Sequence, residues 1–179
     1  DGGMVVTANN ELADWMRKYR NHGMSNRNEI DFWGVNMRLQ PLQAIVALER
    51  LKNLDETVNR RNENAGYYDG CFSKFSGKVK VPKRIKSNIE TFSLYMLLVE
   101  DRDALLAFLE ARGVEAKVHY PIPLNKQIAA ERDCILSNNL INVDRHAERL
   151  ITLPVHQYLQ TEQLSYTVSS LSEFYSGAR

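Results

Sequence analysis

Apolar residues recur along this chain with two spacings. Leu12, Trp15, Met16 and Tyr19 fall on one face of a helix, and Asn9 or Asn10 stands where an N-cap is wanted. From Pro41 onward Leu42, Ile45, Val46, Leu48, Leu51 and Leu54 make a second helical stripe, with Pro suited to the first helical position. The pattern turns polar after Leu54 and predicts one long helix running to about residue 75, of the kind that bridges two lobes. Leu105, Leu106, Phe108 and Leu109 predict another helix, capped by Asp101 or Asp103 and ended by Gly113. Short helices are expected around 125–131 and 142–150, and a last one over 161–175 with Thr161 as its cap.

Between these stripes lie strand-like runs. MVVTA (4–8) reads as a short buried strand. GKVKVP (77–82), TFSLYMLLVE (91–100), VEAKVHY (114–120) and ITLPV (151–155) read as further strands or extended segments. Residues 20–39 form a long polar loop, and long ordered loops are often functional. From about residue 76 the order β-β-α-β-α-α-β-α predicts an α+β lobe with a small antiparallel sheet. Residues 1–75 read as the tail of a different, α/β lobe, which divides the chain into 1–75 and 76–179. The opening DGG, feeding a strand without an initiator Met, suits the middle of a domain and predicts a longer parent protein.

Composition narrows the partners. The formal net charge is +1, with 44% hydrophobic and 25% charged residues, so no strong field draws nucleic acid or an anionic membrane. No apolar run has the length of a transmembrane helix, and no signal-peptide pattern is visible. Neither a nucleic-acid nor a membrane partner is expected, and a cytoplasmic location is. Cys71 and Cys134 show no CxxC spacing and read as two free thiols. His22, His119, His146 and His156 lack metal-ligand spacing, so no metal is expected; His146 reads as solvated and His156 as packing or capping a strand end. Neither a GxSxG elbow nor a phosphate-binding glycine loop occurs, and KRIK (83–86) reads as a solvated basic turn.

Two places hold candidate chemistry. In WGVNMRLQPLQA (33–44), Asn36 and Arg38 sit in extended chain just before a helix N-terminus. Asn donates to anionic oxygens, and the planar fork of Arg matches phosphate or carboxylate; a surface ion pair is the plainer reading. In KVHYPIPLNKQ (117–127), His119 and Tyr120 precede two prolines that keep the chain extended or turning. Such a segment either holds side chains rigidly at the mouth of a site or is an ordinary connection.

Taken in order, DGGMVVT, RKYRNHG, GVNMRLQPLQAIVALERL, RRNENAGYY, RDALLAFLEARGVEAKVHYPIPL and LPVH resemble the DegT/StrS-type family of sugar aminotransferases, which use pyridoxal 5'-phosphate (PLP). The resemblance runs along essentially the whole chain. It implies the α/β, fold-type-I PLP-dependent transferase fold, here the end of the large domain plus the small α+β C-terminal domain. It also implies a homodimer with shared active sites, moving an amino group from glutamate to a nucleotide-linked keto-sugar in amino-sugar or polysaccharide biosynthesis. A PLP-dependent sugar dehydratase, or a non-catalytic or regulatory member of the same fold, is the alternative.

By the same resemblance Asn36 would bind the cofactor phosphate of the partner subunit, and Arg38, His119, Tyr120 and Asn125 would face the substrate. Many relatives carry His where Asn125 stands, so a titrating role at that position is in doubt. Met37 replaces the family's aromatic between Asn and Arg. The family's Schiff-base lysine lies upstream of the DGG-like motif, outside these residues. No catalytic residue is therefore expected within this chain, and the isolated segment is expected to be inactive, with an exposed apolar face over 1–55.

Overall fold

The computed structural model describes residues 2–75, 77–85, 87–133 and 140–177. Its internal contacts divide the chain into two units, residues 1–54 and 55–179.

The first unit is built on α1 (Asn10–Tyr19), and Asn9 caps it by accepting from the Leu12 amide at 3.0 Å. Trp15 stacks on Tyr19 and on Phe32, with ring centroids 4.7 and 5.6 Å away. These stacks, with the 2.6 Å Lys18–Asp31 ion pair, fold the polar loop back along the helix end. Short backbone bridges then close it: Val35 N donates to Tyr19 O at 2.8 Å, His22 N to Val35 O at 3.0 Å and Met37 N to Arg20 O at 2.9 Å. Two glycines make room for this. Gly23 has φ +73°, and a Cβ there would lie 1.6 Å from Phe32 O; one on Gly34 would lie 2.4 Å from Gly23 N.

Residues 4–8 do not form the buried strand their composition suggests. Met4, Val5 and Val6 are largely exposed, because the segment has no ladder partner among the described residues. The apolar stripe of α2 (Pro41–Leu51) is exposed as well, from Leu42 to Leu51. The single long helix expected from Pro41 to about 75 is instead two. α3 (Leu54–Phe72) starts after a turn at Lys52–Asn53, where Asn53 N reaches back to Arg50 O at 3.2 Å. Asn is a weak helix former, and Asp55 and Glu56 favour a helix's first turn, so the break has a local cause.

The second unit carries the core. β1 (Val79–Lys80), β2 (Tyr95–Val99) and β3 (Leu150–Leu153) form an antiparallel sheet in the order β1-β2-β3, with Val79 opposite Val99 and Leu97 opposite Ile151. Alternation along β2 sends Tyr95, Leu97 and Val99 inward. They meet Tyr68 and Phe72 of α3, Leu105 and Leu109 of α4 (Arg102–Ala111), Ile151 of β3 and Leu171 of α7 (Thr161–Ser176) in one buried cluster. The order is the expected α+β arrangement, with three differences. Residues 114–120 contribute only a bridge, Lys117 opposite Thr152, rather than a strand. Asp101 holds the N-cap position of α4 at φ +51° without a side-chain cap bond. Gln160, not Thr161, precedes α7 as its cap, its amide donating to Gln163 Oε1 at 2.9 Å.

A cluster at the edge of this unit changes the reading of the basic turn. Arg84 grips Asp69 of α3 through Nε and Nη2 at 3.0 and 3.1 Å, and the Tyr95 hydroxyl donates to the same carboxylate at 2.7 Å. Its guanidinium lies over the Phe92 and Tyr95 rings, 4.9 and 5.4 Å from their centroids. Arg84 is therefore a structural tie between α3 and the chain leading to β2 rather than a solvated charge. Lys86 of that turn lies outside the described residues.

Candidate functional site

Asn36 and Arg38 belong to the first unit. The Asn21–Asn36 bridge and the Met37 amide pin the backbone on either side of this pair, so the folded loop fixes where both side chains start. Arg38 Nε donates to Asn36 Oδ1 at 3.0 Å, and both side chains are exposed. Among the described residues no carboxylate pairs with Arg38, in contrast to the ion-paired Arg17 and Lys18 of α1. The plain ion-pair reading of Arg38 is thus not what the fold shows. The arrangement leaves the terminal nitrogens of the guanidinium and the Asn36 amide N–H groups as donors for an anionic oxygen.

His119, Tyr120 and Asn125 belong to the second unit. The bridge to β3 is closed by two backbone bonds, Lys117 N to Thr152 O at 3.0 Å and Thr152 N to Lys117 O at 2.7 Å. Two residues on, His119 Nδ1 lies 3.0 Å from Thr152 Oγ1. The imidazole meets the Tyr120 ring edge-on at 5.4 Å, and Tyr120 is 74% exposed. The peptide between them is cis. Both rings line an open depression of about 510 Å³ whose floor includes Leu106 and Ala116. Two cations on its wall are already engaged. Arg102 donates to the carbonyls of Ala147 and Leu150 at 3.3 and 3.2 Å, tying α4 to the end of α6 (Ile141–Arg149). Lys117 pairs with Glu115 at 2.5 Å and so holds the Glu115 carboxyl below its usual range. Asp103, the remaining charged group of the lining, pairs with Arg102, which leaves His119 Nε2 and the Tyr120 hydroxyl as the side-chain polar atoms of this lining without a partner among the described residues.

Asn125 sits half-buried on a short 3₁₀ turn, Leu124–Lys126, that follows Pro123. The turn is held to the next segments by Gln127 Nε2 donating to Ile122 O at 3.2 Å, and by Lys126 Nζ lying 3.1 Å from Asp144 Oδ1. α5 (Ile128–Asp133) continues the chain from there.

The remaining histidines and cysteines fall mostly as their sequence context suggests. His146 is exposed on α6. His156 is exposed, with its ring 6.2 Å from that of Tyr158, and its backbone carbonyl accepts from Asn64 Nδ2 at 3.0 Å and from Leu159 N at 3.2 Å. Cys71 is a half-buried free thiol on α3, and Cys134 lies outside the described residues. Among the described residues no group of three or more His, Cys, Asp or Glu side chains could hold a metal ion, and no helix is long and apolar enough to cross a membrane. Sequence reasoning missed Thr152. A lone hydroxyl in the apolar run LITLPV was the available signal.

These features can be set beside known proteins. A sequence profile described as the DegT/DnrJ/EryC1/StrS aminotransferase family matches residues 1–172. The UDP-2-acetamido-2-deoxy-3-oxo-D-glucuronate aminotransferase of Pseudomonas aeruginosa is 33% identical over 96% of the chain and 46% of its own length. A pleiotropic regulatory protein of Geobacillus stearothermophilus is 31% identical over 98% of the chain and 47% of its own length. The crystal structure of DesV from S. venezuelae, in complex with a ketimine intermediate, superposes with a TM-score of 0.85 at 27% identity, covering 94% of this chain and 45% of that one. The chain thus spans about half the length of the curated relatives it matches. A profile match from the first residue to within α7, together with this likeness of fold, leads to one conclusion: the chain belongs to the DegT/DnrJ/EryC1/StrS aminotransferase family.

Proposed function

We propose that this chain is the C-terminal part of a PLP-dependent aminotransferase that moves an amino group from glutamate to a nucleotide-linked keto-sugar. One observation carries the reading. The Pseudomonas relative that aligns with 96% of the chain is named for amino transfer to a UDP-linked 3-oxo sugar. The two-part organisation fits the end of a large cofactor domain, within 1–75, followed by a small C-terminal domain.

The donor set suits two anionic groups, the cofactor's phosphate at Asn36 and a group of the substrate at Arg38. Asn36 offers amide N–H groups, and Arg38, bonded to it and paired with no carboxylate among the described residues, offers a charged fork. When bound, pyridoxal phosphate supplies the electron sink that lets a proton leave the carbon bearing the amine. In the homodimer Asn36 holds the cofactor phosphate of the partner subunit's site, and Arg38 orients an anionic group of the substrate. His119, Tyr120 and Asn125 contact the sugar nucleotide. Asn125 does so as a hydrogen-bonding group only, since a carboxamide does not titrate in the physiological range. The lysine that anchors the cofactor is supplied by the parent protein upstream of these residues. The product is an amino sugar made in the cytoplasm for a polysaccharide or a glycosylated compound.

The test is an absorbance spectrum of the full-length parent with pyridoxal phosphate, before and after glutamate. A cofactor band that shifts on adding glutamate supports the reading, and Asn36→Ala should weaken cofactor retention. A bound cofactor indifferent to glutamate would point instead to a dehydratase. Failure to bind pyridoxal phosphate at all would overturn the proposal.

A further inference from the structure

Thr152 is the middle residue of an otherwise apolar stretch of β3, between Ile151 and Leu153, which face the core. The pleat turns Thr152 to the opposite face, yet it is only 6% exposed; the segment carrying Lys117 pairs alongside it, and the His119 ring reaches its hydroxyl. A valine would fill that space equally well, so the hydroxyl needs a separate reason. Among the described residues its one hydrogen-bond partner is His119 Nδ1 at 3.0 Å. A hydroxyl has a single proton, and a buried donor left without an acceptor is costly. If Nδ1 carried the imidazole proton, it would donate to Oγ1 and the buried hydroxyl hydrogen would have no acceptor. If Nδ1 is unprotonated, the hydroxyl donates to it and every group is satisfied. The neutral imidazole then carries its proton on Nε2, the ring nitrogen that has no protein partner among the described residues.

We infer that Thr152 is a positioning residue: its hydroxyl donates to His119 Nδ1, selects the tautomer of His119 with the proton on Nε2, and so presents an N–H donor at the depression. This deepens, and rests on, the aminotransferase reading, in which His119 meets the sugar nucleotide. The class of ligand atom it selects is an acceptor oxygen, such as that of a phosphate or a carbonyl. The backbone pairing of Lys117 with Thr152 sets the register that makes the contact, so the strand bridge and the tautomer are fixed by the same residue.

The experiment is nitrogen NMR of the full-length protein carrying ¹⁵N-labelled histidine, at about pH 8.5, where histidine is neutral. His119 is assigned by the resonances lost in His119→Gln. The expected wild-type pattern has the proton on Nε2 and an unprotonated Nδ1. Thr152→Val should move His119 to a mixture of tautomers or to the Nδ1–H form, and Thr152→Ser should restore the wild-type pattern. A wild-type His119 protonated on Nδ1 would overturn the inference, as would a pattern unchanged in Thr152→Val. Should the valine variant fail to fold, Thr152→Ala removes the same hydroxyl with a smaller side chain and carries the same expectation and the same refutation. The readout needs neither cofactor nor substrate. A failed tautomer result beside a glutamate-responsive spectrum removes only the role of Thr152, whereas the expected tautomer beside a cofactor that never binds removes only the aminotransferase reading.

Discussion

Replacing Gly34 by alanine should unfasten the loop that holds Asn36. A Cβ at that position would lie 2.4 Å from Gly23 N, 2.5 Å from Tyr19 O and 2.8 Å from His22 C, all of them backbone atoms. Carbon contacts are comfortable near ~3.5 Å, so the two segments must separate by roughly 1 Å. No side chain can rotate out of the way. Separation stretches Val35 N–Tyr19 O and His22 N–Val35 O, two of the bonds that clamp the loop to the end of α1. Each is worth about 1 kcal/mol, and the overpacking itself costs about 1–3 kcal/mol, which gives about 3–5 kcal/mol against the closed loop. At about 1.4 kcal/mol per factor of ten, amide hydrogen exchange at His22 and Val35 should speed up by at least ~100-fold in the full-length protein. Gly66 on α3 is the control, because a Cβ there meets nothing within 4 Å. Exchange at His22 and Val35 that stays within about twofold of wild type in Gly34→Ala would refute the argument that backbone proximity positions Asn36.

Gly66→Ala should instead stabilise the protein by about 0.5–1 kcal/mol, since it removes a flexible residue from an exposed helix interior; the urea midpoint checks this. Asp69→Ala should destabilise by about 2 kcal/mol in the same assay, because it leaves the Tyr95 hydroxyl without its acceptor and the half-buried Arg84 with only the longer 3.3 Å contact to Glu90. Burial pushes the Tyr68 phenol up to about 12 and raises Tyr95 and Tyr175 as well. The unfolded chain, with phenols near ~10, loses these protons first, so stability falls as pH climbs above about 10. Tyr68 alone contributes a loss of roughly 2–3 kcal/mol by its folded value, and urea titrations across this range should show a shallower decline in Tyr68→Phe.

Much of the fold was legible because it depends on neighbours along the chain. The helical stripe with Asn9 or Asn10 before it gave α1 and placed its cap, and the apolar run TFSLYMLLVE gave the central strand, although which of its residues face the core came only with the sheet. The antiparallel α+β order follows from the sequence of those signals. Local chemistry also drew attention to Asn36, Arg38 and His119, residue types that recognise anions and hydrogen-bonding ligands.

What the sequence could not show depends on contacts between distant residues. MVVTA has strand composition, but a strand exists only where a second backbone pairs with it, and here none of the described residues does. The helical pattern crosses Lys52–Asn53 without interruption, because apolar periodicity does not register a one-turn break. KRIK looked like a solvated turn until Asp69, 15 residues upstream of Arg84, was found to accept its guanidinium. Thr152 shows in the sequence only as a lone hydroxyl in an apolar run, and it gains a role because the register Lys117–Thr152 carries it to His119, 33 residues earlier in the chain. Periodicity and capping are local properties, written in spacing; the protonated nitrogen of a histidine and the partner of an arginine are decided by what folding brings beside them.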